Sequence, residues 1–263
     1  MTAWNAVIGI VARDLARTTR QTSRLLGGLA RPFMWLLLVG TGYNAIARVE
    51  NGLPYHAFVF PGIVVMAALF GAMLTAIATV YDREFGMLRL MLASPAGVPA
   101  VLGGRAIAAA LVGLVQGGIV LACAPLLVPV TPGRLGAALG ALVLAAASSA
   151  LLGLLVASRL RSVENFAGVI NVVLFPLLFV SGALYPTAGM PPALRLLASV
   201  NPVTYQVDLM RHAFGQAAEF EAGRDVLLLL ATTAVAFGLA VLLFDPERRL
   251  LGRADGRRPT ESP

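Results

Sequence analysis

The chain has 263 residues, a mean hydropathy of +0.83 and only 13% charged residues, half the roughly 25% of a soluble domain, so lipid is its solvent. Its formal net charge of +7 comes from 20 basic residues, all of them arginine; the absence of lysine excludes a Walker A P-loop and a lysine Schiff base from this chain. The arginines fall in short segments between apolar runs, which reads as membrane topology and excludes a nucleic-acid groove.

Residues 1–28 predict a helix lying in the membrane interface. At ~100° per residue, Trp4, Val7, Ile8, Val11, Leu15, Leu25 and Leu26 share one face, and Arg13, Arg17, Arg20 and Arg24 take the opposite one. A disordered basic leader would not segregate its faces, and no apolar core followed by a cleavage site marks a signal peptide. Six spans are then predicted, at 29–47, 57–80, 106–130, 135–157, 166–184 and 225–244. The first is the weakest, with Arg31 at its mouth and Gly40 and Gly42 inside it. The other five carry no Asp, Glu, Arg or His between their end residues. With both termini inside, fifteen arginines fall in cytoplasmic segments and five outside, so the expected topology is N-in and C-in, with 245–263 a cytoplasmic tail.

The segment 81–105 is cytoplasmic in this topology. Met87, Leu88, Leu90, Met91 and Leu92 are too apolar for a plain connector and too few to span, and Ser94-Pro95 ends any helix. Such a short amphipathic helix needs lipid headgroups, the protein's own body or a partner to cover its apolar side. The segment 185–224 is external. Pro191-Pro192 and Asn201-Pro202 each open a short apolar stretch, the second with an Asn N-cap and Pro at the first helical position. We read two half-helices that re-enter the outer leaflet.

Glycines four apart (Gly113 and Gly117, Gly136 and Gly140) suit close helix packing. The polar residues within spans are Thr75, Thr79, Gln116, Ser148, Ser149, Asn171 and Ser181, an inventory that disfavours a self-powered or proton-coupled pump. An intramembrane serine protease would need Ser181 beside a base, yet His212 lies in the external segment and His56 at a span edge. Lone Cys123 offers neither a disulfide framework nor a cysteine metal site, and no cofactor is expected.

REFGMLRLMLASP (83–95) resembles the R-E-x-G-x-L-x-x-L-x-x-S-P segment of the permeases of type-2 ABC exporters. FPLLFVSGALYP and MPPALRLLASVNPVTYQVDLMR are similar to the fifth-span and external-hairpin signature of the same family. Phe85 and Met87 stand where that pattern varies. The resemblance covers nearly the whole chain. It implies one all-α, six-span permease domain of a bacterial inner membrane, exporting a drug, lipid or lipid-linked saccharide; the scarcity of aromatics along the spans tilts this toward a lipid or amphiphile. It also implies a homodimer with two copies of a separate ATP-binding subunit. The helix around Arg83–Leu92 would then be the coupling helix. Its apolar side (Leu88, Leu92) would fill a groove on the ATPase, Arg83, Glu84 and Arg89 would set orientation, and Gly86, Ser94 and Pro95 would complete the same coupling interface. Pro191, Asn201, Pro202, Tyr205, Asp208 and Arg211 would build the external re-entrant segment. The alternative from another class is a membrane scaffold that recruits a soluble partner through 81–105.

Overall fold

The computed structural model describes residues 3–44, 53–92, 94–160 and 162–255. Among the described residues the fold is all-α. Helix α1 (Ala3–Arg20) is followed by α2 (Thr22–Met34), a π-helical turn over Trp35–Gly40, and α3 (Thr41–Asn44). Next come α4 (Tyr55–Glu84), α5 (Met87–Leu92), α6 (Gly97–Leu121), α7 (Ala124–Leu127), α8 (Pro132–Arg159) and α9 (Val163–Val180). The chain ends in α10 (Pro192–Val200), α11 (Pro202–Phe214) and α12 (Ala222–Asp255).

Among the described residues, four stretches are long and apolar enough to cross a bilayer: Tyr55–Glu84, Gly97–Leu127, Pro132–Arg159 and Ala222–Phe244. A shorter apolar stretch, Leu25–Gly40, occupies much of the expected first span, whose remainder past Asn44 lies outside the described residues. The expected interfacial helix stops at Arg20, and α2 begins at Thr22, well before position 29. Pro32 lies inside α2 and removes one backbone donor. The π turn follows directly, a local unwinding of the sort that accommodates such a loss.

Helix α4 is the centre of the bundle. It is apolar on every side, and residues 57–73 are buried without interruption, the pattern of a core helix. Helices α6 and α8 pack on it through missing side chains. A Cβ at Gly113 would lie 2.6 Å from the Ala68 carbonyl, and one at Gly117 would lie 2.5 Å from Leu142 Cδ1. Gly136 and Gly140 face open space, so this second predicted pair makes no close contact within the chain. Helix α1 lies across α6, with Ile10 against Gly104. Helix α11 is enclosed too. Val203, Val207, Met210 and Phe214 join the α4 core, and the Ser149 hydroxyl, past the middle of α8, donates to Gln206 Oε1 at 3.3 Å. At the other end of α11, Gly215 meets the Arg134 guanidinium. The helix therefore lies alongside α8 from near its start to past its middle, rather than on top of the bundle.

Candidate functional site

The two predicted segments sit at opposite ends of the bundle. At one end, α4 runs into a turn that needs Gly86 at φ +77°, and α5 folds back beneath the bundle. Leu88 and Leu92 are fully buried among Ile10, Val98, Val101, Leu102, Ala240 and Phe244. The expectation that they fill a groove on another protein is thereby corrected. A six-residue helix pressed against α6 and α12 turns those two positions inward, and the protein's own body covers them. The apolar side chains left outside are Phe85, Met87 and Leu90, exposed by 64%, 46% and 70%. Tyr81 stacks on Phe85 with ring centroids 4.4 Å apart, and Arg89 and Pro95 are exposed beside them.

Half-buried Arg83 and exposed Glu84 both reach the α8–α9 connection. Arg83 Nη1 donates to the carbonyls of Ala157, Ser158 and Leu160 at 2.8–2.9 Å, and its guanidinium lies 4.7 Å from the centre of the Phe244 ring. It thus satisfies carbonyls at the C-terminus of α8, where a cation is favoured. Glu84 Oε2 accepts the Val163 amide at 3.0 Å, and the Ser162 hydroxyl accepts that of Asn165; together they cap α9. The Ser94 amide donates to the Met91 carbonyl at 3.2 Å and closes the end of α5.

Beside this turn lies an ionic hub that sequence reading did not find. Asp82 receives Arg13 Nη2 at 2.6 Å, Arg17 Nη1 at 3.2 Å and Arg105 Nη2 in a short contact. Arg105, 2% exposed, also donates to Thr79 Oγ1, reaches Met91 Sδ at 3.3 Å and lies 3.9 Å from the buried Asp14. Burial works against the charge of Arg13, but Asp82 and Asp14 beside it hold its pKa above the ordinary arginine value. One network therefore ties α1, α4, α5 and α6 together.

The opposite end is held by side chains bonded to backbone. Asn201 caps α11 by accepting the Val203 amide at 3.0 Å, and its own amide donates to the Leu177 carbonyl at 2.7 Å. Asp208 accepts the amides of Glu219 and Phe220, each at 2.8 Å. Arg211 Nη2 donates to the Gly182 carbonyl at 2.6 Å while its guanidinium lies 4.3 Å from the Phe58 ring centre. Burial lowers the Arg211 pKa, with Asp208 and Glu219 opposing. The Tyr205 hydroxyl donates to the Ser199 carbonyl. Pro202 opens α11 at its first position, and Pro191 stands exposed before α10. Asn201, Tyr205, Asp208 and Arg211 are thus brought together as the fastenings of this end.

These fastenings frame a cavity of about 450 Å³ between the start of α4, the start of α8, the 186–188 turn and the 215–219 loop, with Arg134 and Arg211 in its lining. Behind it, Asp225 is fully buried 3.7 Å from His212 Nε2, whose nearest partner is the Phe220 carbonyl at 2.7 Å. That nitrogen carries a proton, because a bare nitrogen would repel the carbonyl. Asp225, which sequence reading passed over at the start of the last span, is therefore an interior group. Ser181 bonds the Leu178 carbonyl at 2.7 Å and accepts the Ala183 amide, a turn-closing role with no base beside it among the described residues.

The all-helical fold is compatible with what comparison of the sequence shows. Residues 5–214 match the ABC-2 type transporter family, and the chain belongs to that family of membrane permeases. It is similar to Nodulation protein J of Rhizobium leguminosarum bv. trifolii, with 30% identity over 190 residues, 71% of this chain and 72% of that protein. It also resembles a protein named as transport permease ycf38 in Porphyra purpurea, at 29% identity over 78% of this chain and 72% of that one. A third relative is named as the multidrug ABC transporter permease YbhR of Escherichia coli K12, at 29% identity over 84% of this chain and 59% of that protein.

Proposed function

We propose that this chain is the membrane-spanning subunit of an ATP-driven exporter that moves a lipid, a drug-like amphiphile or a lipid-linked saccharide out of the cytoplasm. In this reading six spans cross a bacterial inner membrane with both termini inside. Two copies of the chain pair and bind two copies of a separate ATP-binding subunit. The arginine distribution supports that orientation, and the absence of lysine leaves ATP binding by a P-loop to another chain.

The observation that carries the reading is the exposed plate of Phe85, Met87 and Leu90 on a helix whose opposite face is anchored in the bundle. An apolar plate on a pinned helix transmits a push; the same plate on a loose loop would yield to it. Arg89 beside the plate calls for an acidic counterpart on the ATPase. Rocking of the ATPase would pass through Arg83 and Glu84 to the α8–α9 connection and through Met91 and Arg105 to α1, α4 and α6.

Two variants test this. Leu90→Asp places a charge on the outer plate, and charging a central anchor costs about 2 kcal/mol or more of binding. The permease should reach the membrane at normal abundance, lose its co-purifying ATPase and stop exporting. Leu88→Asp buries a carboxylate in the inner cluster, adding the loss of about 2–5 kcal/mol of packing to the desolvation of the charge, and should abolish the folded permease itself. Full export by Leu90→Asp with the ATPase still bound would remove the plate from the mechanism.

A further inference from the structure

Sequence reading set Arg31 at the mouth of the first span, and the structure seats it deeper. It lies ten residues into α2 rather than at a span mouth. Its guanidinium rests 4.6 Å from the centre of the Phe70 ring and 5.4 Å from that of Phe175. Phe70 is the sixteenth residue of the 30-residue α4, so that ring is roughly 22 Å along a helix about 45 Å long. A helix of that length matches the full bilayer of about 40–45 Å including headgroups. The Arg31 charge therefore lies near the bilayer midplane, where an arginine costs at least about 2.5–3.5 kcal/mol.

A cost of that size is ordinarily offset by a carboxylate or by backbone carbonyls. Among the described residues the Arg31 guanidinium makes neither an ion pair nor a hydrogen bond; its contacts are the two ring faces. Contact through the flat faces of the guanidinium leaves its in-plane N–H donors uncommitted, and those donors match the oxygens of a carboxylate, phosphate or sulfate. Arg31 is only partly buried, so the donors can be reached. Met34 at the end of α2, Leu37 and Leu38 in the π turn that follows it, and Val172 one turn before Phe175 on α9 present an exposed apolar surface. Resident headgroups lie about 15 Å from the midplane, half the hydrocarbon thickness. An acidic group that reaches Arg31 is therefore one in transit.

Resting on the permease reading above, we propose that Arg31, held between Phe70 and Phe175, binds the acidic headgroup of an amphiphilic cargo on its way across the membrane, while the apolar surface of α2, the π turn and α9 takes the cargo's hydrocarbon. The transported class is thereby narrowed to anionic amphiphiles, and Arg31 is its specificity-determining residue.

Trp35, one helical turn beyond Arg31, gives a local reporter, and Trp4→Phe makes it the sole tryptophan. Full-length permease in nanodiscs of zwitterionic lipid is titrated with a pyrene-labelled long-chain alkyl phosphate and, separately, with the matching uncharged alcohol. Energy transfer from Trp35 measures occupancy. In the Trp4→Phe protein the phosphate should saturate at about tenfold or more lower concentration than the alcohol, the worth of a charge-assisted hydrogen bond. Arg31→Gln should erase that preference without changing the alcohol curve, and Arg31→Lys should retain part of it. Equal curves for the two probes in the parent protein, or a preference that survives Arg31→Gln, would overturn the proposal. So would conversion of a dimer to monomers by Arg31→Gln with unchanged probe binding, since the arginine would then serve a second copy of the chain. The assay uses neither ATP nor ATPase, so its failure leaves the coupling reading standing, and failure of the Leu90→Asp test leaves this one standing.

Discussion

The two ends of the bundle are fastened by different chemistry. At the α5 end the polar contacts centre on ion pairs between helices, three arginines around Asp82, and the apolar residues that remain form a plate facing outward. At the α11 end, neutral and charged side chains bond to backbone groups of α9 and of loops, and a partly open cavity lies beside them. Ion pairs through long side chains join helices that can still shift as whole bodies. Bonds from side chain to backbone fix the course of a loop. The first design suits a face that takes up a mechanical input, and the second suits a wall that holds its shape while helices move beneath it.

The sharpest way to break the contrast is Asp82→Asn. It leaves the buried Arg105 with only its longer contact to Asp14, and it takes from Arg13 and Arg17 their bonds to α4, Arg13 keeping Asp14. Removing one partner from a buried pair costs about 3–5 kcal/mol, whereas the partly exposed Arg17 contact alone is worth no more than about 1 kcal/mol. Heating followed by fluorescence-detected size exclusion should show Asp82→Asn aggregating well below the parent protein, with Arg17→Ala close to it. Similar behaviour of the two variants would mean that the hub is a surface ornament and that α1 is held by Ile10 alone.

The companion change at the other end is Asp208→Ala, which strips the acceptor from the Glu219 and Phe220 amides. Each orphaned donor costs about 1–3 kcal/mol if it stays buried, and the 215–221 loop can recover part of that by opening to water. The expected outcome is a smaller loss of global stability than for Asp82→Asn, with faster amide hydrogen exchange confined to that loop. Exchange that rises equally across α4, α8 and α12 would show that this end, too, is a global fastening.

Much of this was legible in the sequence because it is written in local patterns. Apolar run lengths found the long helices, Asn201-Pro202 announced the start of α11, and the apolar cluster after Arg83 marked α5. What escaped was register between elements. Asp14, Asp82 and Arg105 are far apart in the chain, and nothing in their neighbourhoods says that they converge. Leu88 and Leu90 are equivalent by composition; only the angle at which α5 docks on α6 and α12 makes one core and the other plate. Arg31 was placed by the apolar run around it, although α2 begins at Thr22, seven residues before the expected span at 29.

The smallest expected effect tests how the plate is aimed. Gly86, between α4 and α5, has φ +77°, and a Cβ there would meet nothing within 4 Å. The change Gly86→Ala is therefore resisted by backbone conformation alone, at about 1–2 kcal/mol. Gly9, in the middle of α1, also has open space around its missing Cβ but an ordinary backbone conformation, so Gly9→Ala should stabilise by about 0.5–1 kcal/mol. The two substitutions add the same atom in equally open surroundings and should shift the unfolding temperature in opposite directions. Relief of the strain in Gly86→Ala would turn α5 and swing Leu90 away from its position, so weakened capture of the ATPase should accompany the lowered unfolding temperature. Gly9→Ala should leave capture unchanged. A stabilised Gly86→Ala protein would mean that the turn relaxes without cost and that α5 is oriented by the burial of Leu88 and Leu92, with no contribution from the glycine.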